Sequence, residues 1–115
     1  MANYLLDTGI LIRHLRKHPG YKALVVRLAN EGALYMASFT RLEVIRGMRD
    51  HERQATFQLL DSLHTYPLDK ETADAAGELI RAWAQRGITL SGPDAVIAAS
   101  GLRCHATLVT TNAKH

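Results

Sequence analysis

Three acidic residues, Asp7, Glu43 and Asp94, stand at positions where the chain turns into a helix. Taken singly, each has a local explanation. Asp7 suits an N-cap, its carboxylate on an early helix amide, worth about 1 kcal/mol, and Thr8 could serve in its place. Glu43 completes a capping-box pattern, Thr40-Arg41-Leu42-Glu43, in which it reaches back to the amide of Thr40. Asp94 follows Pro93, a residue suited to a first helical position, and would offset the helix dipole by roughly 0.3–1 kcal/mol. Taken together, with Asn112 as a fourth polar group, they form an oxygen-only donor set. Such a set suits Mg²⁺ or Mn²⁺. An ion of that kind can hold a phosphate oxygen, lower the pKa of a bound water and stabilise a leaving oxygen. Asp7, Glu43 and Asp94 are the candidate metal ligands, and with Asn112 the candidate catalytic residues.

That chemistry requires the four side chains to meet, so the elements around them decide the matter. Residues 4–6 form a short apolar run of strand type, ended by Asp7, with a turn at Thr8-Gly9. Helical spacing follows in Ile10, Leu11 and Leu15, and Pro19-Gly20 breaks it. Residues 21–29 read as a second helix, stopped by Asn30-Glu31-Gly32. Residues 33–37 are a second strand, followed by a helix to about Arg49, in which Gly47 points to a close backbone contact. Residues 52–64 read as another helix and residues 65–68 as an extended edge piece, since Pro67 cannot donate to a ladder. Asp69 can cap a helix over residues 70–85, with Trp83 on its core side. The small-residue stretch 91–100 is a helix, and residues 106–110 are a β-branched strand. Strands alternating with helices predict an α/β fold of three layers, α-β-α, around a mainly parallel sheet. In such a sheet the carboxyl ends of the strands share one edge, where ligands bind. Asp7, Glu43, Asp94 and Asn112 all fall at that edge. Two unit charges 4 Å apart repel by about 4 kcal/mol at an effective dielectric of 20, so converging acids call for a cation.

The chain has 115 residues, the size of a single domain, residues 1–115. No apolar run reaches membrane-spanning length, and the start, Met1-Ala2-Asn3-Tyr4, lacks the features of a signal peptide. The one cysteine, Cys104, excludes an intrachain disulfide. The simplest reading is an intracellular, cytoplasmic protein with no membrane association. Net charge is +3, but residues 1–57 hold nine Lys and Arg against five Asp and Glu. Arg13, Arg16 and Lys17 form one basic cluster, and Arg41 and Arg46 belong to another. They are the candidates for gripping a phosphate-rich partner. There is no Cys–His pair and no serine nucleophile elbow, which leaves metal-assisted phosphodiester hydrolysis as the favoured chemistry.

Four segments then carry a family likeness. Leu5-Leu6-Asp7-Thr8, Ser38-Phe39-Thr40-Arg41-Leu42-Glu43 with Gly47, Asp94-Ala95-Val96-Ile97-Ala98-Ala99 and Leu108-Val109-Thr110-Thr111-Asn112 resemble, in order, the motifs of PIN domains. The nearest likeness is to the VapC-type toxins of prokaryotic toxin–antitoxin systems. The resemblance implies a Mg²⁺-dependent ribonuclease that cuts RNA internally, is often a homodimer, and is held inactive by a cognate antitoxin. It implies an acidic core of Asp7, Glu43 and Asp94, with Thr110 and Asn112 at the edge of the site and Thr8 and Ser38 as polar neighbours. Two departures stand out. The fourth family position is frequently Asp, and the uncharged Asn112 makes a second metal less expected than a first. The family also usually continues past the position of His115 with an aromatic residue and a short element, so the domain reads as trimmed or naturally short. The competing expectations are a catalytically inactive module of this fold that binds RNA or a protein, and a small-molecule phosphatase. Against the phosphatase, Gly9 stands where a second acid is needed.

Overall fold

Every strand of the sheet runs in the same direction, and the chain returns through helices each time. A computed structural model describes residues 2–111. Its strands are β1 (Ala2–Leu6), β2 (Gly32–Ala37), β3 (His64–Tyr66) and β4 (Thr107–Val109), in the order β3-β2-β1-β4. The helices are α1 (Thr8–Leu15), α2 (Tyr21–Glu31), α3 (Ser38–Gly47), α4 (Arg53–Ser62), α5 (Lys70–Gln85) and α6 (Gly92–Arg103). All three pairings are parallel, with Leu5 opposite both Tyr35 of β2 and Leu108 of β4. The expected α/β architecture is therefore present.

The alternation of side chains along the two central strands divides the core. Leu6 and Met36 face a cluster with Ile10, Leu11, Val25, Leu28, Val44, Leu60 and Leu63, contributed by α1 to α4 and the C-cap of α4. Leu5 and Ala37 face the other way, onto Ile97 of α6. Successive strand residues point to opposite faces, so both faces are covered as expected. Helix α6 is the most enclosed of these elements. Its Ile97 meets the sheet while Ala95 and Ala99, both fully buried, meet Ala76 of α5. The small residues that mark this segment are what allow a helix to fit between a sheet and a second helix.

Several local expectations need revision. Helix α2 runs to Glu31, and Gly32 is at once its C-cap, as expected, and the first residue of β2, so no turn separates the two. It pairs with Ala2, and a Cβ on it would lie 1.9 Å from the Ala2 carbonyl oxygen. Helix α3 likewise begins at Ser38, directly after β2, with Ala37 as its N-cap. Thr40 is thus inside the helix, and the Thr40–Glu43 capping box does not form. Tertiary placement of the two side chains overrides the local pattern. Gly47 ends α3, and a Cβ there would meet nothing within 4 Å, so no close approach explains it. The helix expected over 52–64 is present as α4, preceded by a 3₁₀ turn (Asp50–Glu52), while its last expected residue, His64, opens β3. Trp83 is 39% exposed on α5, with the Arg86 guanidinium 5.8 Å from its ring centre, and is not a core residue. No helix among the described residues is long and apolar enough to cross a membrane.

Candidate active site

Asp7 joins three elements through its own atoms. Its amide donates to the Val109 carbonyl at 3.0 Å, continuing the β1–β4 ladder one residue past β1. Its carboxylate Oδ1 accepts from the Ile10 amide at 3.0 Å, the N-cap of α1. Its Oδ2 accepts a short hydrogen bond from the Thr110 hydroxyl, just beyond β4. The cap expected from the sequence is therefore real, and one oxygen is left to interact with a different strand end.

Thr8 does not cap. Its hydroxyl donates to Glu43 Oε1 at 2.7 Å and lies 3.2 Å from the hydroxyl of Thr40. Glu43 sits on α3, whose start follows β2, so the contact bridges two strand–helix junctions. Consecutive residues, Asp7 and Thr8, thereby bring the end of β4 and the acid of α3 to one place. Gly9 completes the turn with little room: a Cβ would lie 2.8 Å from the Thr111 hydroxyl oxygen and 3.5 Å from Asp7 Oδ1.

Asp94 reaches the same edge by a different route. The Asn3 amide side chain donates to the Cys104 carbonyl at 3.1 Å, which fixes the end of α6 beside the start of β1. The beginning of α6 therefore lies toward the carboxyl edge of the sheet. Ser91 caps it, its hydroxyl accepting from the Asp94 amide at 3.2 Å, and Pro93 lies in the first turn. The Asp94 carboxylate is exposed. Among the described residues, no three of the Asp, Glu, His and Cys side chains stand close enough together to hold an ion. Thr8, next to Asp7 in the chain, links that residue to Glu43. Helices α1, α3 and α6 start toward this edge, and their dipoles give it a positive partial charge suited to anions. Asn112 lies outside the described residues.

The basic candidates divide by their partners. Arg41 donates to Asp61 at 2.7 Å and lies 5.9 Å from the Phe57 ring centre. Arg13 donates to the Tyr21 hydroxyl at 3.0 Å, and Arg16 faces Glu52 at 3.9 Å. Lys17 and Arg46 are exposed. Lys17 lines an open groove with His18, Lys22 and Gln58, between α1, α2 and α4. Cys104 is partly enclosed, and burial pushes its thiol pKa up, as suits a packing residue. Sequence reasoning missed Thr40, which is fully buried against Thr8. Its position three residues before Glu43 reads as a cap, which concealed that role.

A parallel sheet with Asp7 and Glu43 drawn together at its carboxyl edge defines the class, and residues 4–115 match the PIN domain family. The chain is 30% identical over 112 residues to Ribonuclease VapC19 of Mycobacterium tuberculosis, a match spanning 96% of this chain and 90% of that protein. It is also 30% identical over 111 residues to Ribonuclease VapC10 of the same species, spanning 96% and 84%. Its fold superimposes on VapBC2 of Rickettsia felis, solved bound to a fragment of promoter DNA, with a TM-score of 0.81 and 25% identity over 97% of this chain and 89% of the other. The fold alone is shared, at 24% identity and a TM-score of 0.80, with a toxin–antitoxin complex from Klebsiella pneumoniae, over 96% and 88% of the two chains. The chain belongs to the PIN domain family, among the VapC ribonuclease toxins of toxin–antitoxin systems.

Proposed function

We propose that this chain is a Mg²⁺-dependent endoribonuclease, with Mn²⁺ able to replace Mg²⁺, and the toxin of a type II toxin–antitoxin pair. The observation that most supports this is the Thr8 bridge. The residue beside Asp7 holds the carboxylate of Glu43, from a separate strand–helix junction, at the edge where ligands of parallel sheets bind. The groups joined there, Asp7, Thr8, Glu43 and Thr110, offer carboxylates and hydroxyls, and this donor chemistry fits a hard cation. Asp7 and Asp94 would be the principal ligands. Glu43 would ligate directly, act through water, or orient the attacking water. A bound ion supplies an acidified water and stabilises charge on the leaving oxygen. The protein's own part is positioning: the Thr110 and Ile10 contacts fix Asp7, the Thr8 hydroxyl fixes Glu43, and the helix starts draw a phosphate in. Asn112 is a neutral fourth group in this reading. Lys17 and Arg46, followed by Arg13, Arg16 and Arg41, are the groups proposed to grip the RNA backbone. Relatives solved as VapBC complexes support a cognate antitoxin as the protein partner, and kinship supports a homodimer.

The test is cleavage of labelled RNA with Mg²⁺, with EDTA, and with Asp94→Asn. Scission should need the ion and should fall in the variant by at least the roughly 10–100-fold typical of losing even a supporting group at a metal site. Scission that survives both treatments overturns the reading. Retention of RNA without scission would favour the non-catalytic module instead.

A further inference from the structure

We propose that Thr40 is a positioning residue for Glu43, acting through the hydroxyl of Thr8; this rests on the reading of Glu43 as part of a nuclease site. A threonine hydroxyl has one proton, and an ionised carboxylate only accepts. The Thr8 oxygen lies 2.7 Å from Glu43 Oε1 and 3.2 Å from Thr40 Oγ1. The shorter, charge-assisted contact takes the Thr8 proton. The Thr8–Thr40 contact must then be donated by Thr40. With its own proton committed to the Thr8 oxygen, Thr40 leaves the Thr8 hydroxyl only one useful direction, toward Glu43. Thr40 is fully buried, so no water replaces it as donor. Thr8 opens α1, Thr40 lies in the first turn of α3 and Glu43 lies further along it, and the chain Thr40–Thr8–Glu43 fixes the carboxylate from inside the protein. Thr40 touches neither ion nor RNA in this arrangement. Groups of that kind at metal sites change affinity or activity by about 10–100-fold when removed.

The experiment uses Thr40→Val, which keeps the shape and removes the hydroxyl, and Thr40→Ser, which keeps the hydroxyl. Mn²⁺ affinity is measured by titration calorimetry, RNA cleavage is resolved into kcat and KM at saturating ion, and the Glu43 side chain is observed in ion-free crystals. Thr40→Val should weaken Mn²⁺ binding roughly tenfold, lower kcat more than KM is raised, and leave the Glu43 carboxylate in more than one position. Thr40→Ser should restore all three. Combined with Thr8→Val, Thr40→Val should add nothing, because the two act in one chain. The proposal is overturned if Glu43 keeps a single position in Thr40→Val, or if Thr40→Ser is as impaired as Thr40→Val. A native chain that binds no Mn²⁺ and cuts no RNA, in which Thr40→Val still frees Glu43, sinks the nuclease reading and supports the hydroxyl chain.

Discussion

At the scale of single residues, Asp7 has two roles that a substitution can separate. Its Oδ1 caps α1 and its Oδ2 accepts from Thr110. Asn keeps a side-chain acceptor for the Ile10 amide but loses the charge. Asp7→Asn should therefore unfold close to the native midpoint in urea while losing RNA cleavage. Asp7→Ala should lose cleavage and also about 1 kcal/mol of stability from the missing cap. Equal stability in the two variants would contradict the capping role. The cap was legible in the sequence because its two partners are only three positions apart. The Thr8–Glu43 contact was not, because it spans 35 positions and competes with a local pattern of equal appeal. A capping box explains Thr40 and Glu43 by themselves, and only the close approach of α1 to α3 shows why both side chains turn the other way.

At the scale of elements, the direct joins of α2 to β2 and of β2 to α3 set the tolerances. Gly32 is pressed against the Ala2 carbonyl, so Gly32→Ala must part β1 from β2 and should destabilise by about 1–3 kcal/mol, read from urea unfolding. Gly77, within α5, has open space where a Cβ would go, and Gly77→Ala should stabilise by about 0.5–1 kcal/mol. Helix α5 also carries an acid dependence. Asp69 accepts from the Thr72 amide at 2.8 Å, and that bond holds its carboxyl pKa below the ordinary value. Glu52 is lowered in the same way by the Arg49 amide. Groups with a lowered folded pKa stabilise above the unfolded value and lose that contribution as pH falls through the folded one. The melting temperature should therefore decline below the usual carboxylate range, and less steeply in Asp69→Asn and Glu52→Gln than in the native chain. Helix and strand types were readable from periodicity. The last residues of α2 and the start of α3 at Ser38 were not, because no turn residue need intervene where a helix and a strand abut.

At the scale of the whole molecule, charge decides how the protein meets a polyanion. Residues 1–57 carry all of the positive excess, yet Arg41 is paired with Asp61. RNA binding should weaken with salt, with a log–log slope of about −0.7 for each phosphate engaged on a single strand. Lys17→Ala and Arg46→Ala should each reduce that slope, and Arg41→Ala should reduce it less. An equal effect from Arg41 would mean that its ion pair opens on binding. The three-layer arrangement was legible from the alternation of apolar runs. Trp83 was misplaced because a 16-residue amphipathic helix presents a wide apolar stripe, and α6 covers only the Ala76 side of it.

The bond from Thr110 to Asp7 also orders events during synthesis. The two residues are 103 positions apart, and β4 is the fourth strand to be made although it lies beside the first. Until it emerges from the ribosome, β1 has one unpaired side and Asp7 lacks its contact at the far end of the sheet. The edge of the sheet at Asp7 is thus completed only after residues 107–110 have been made.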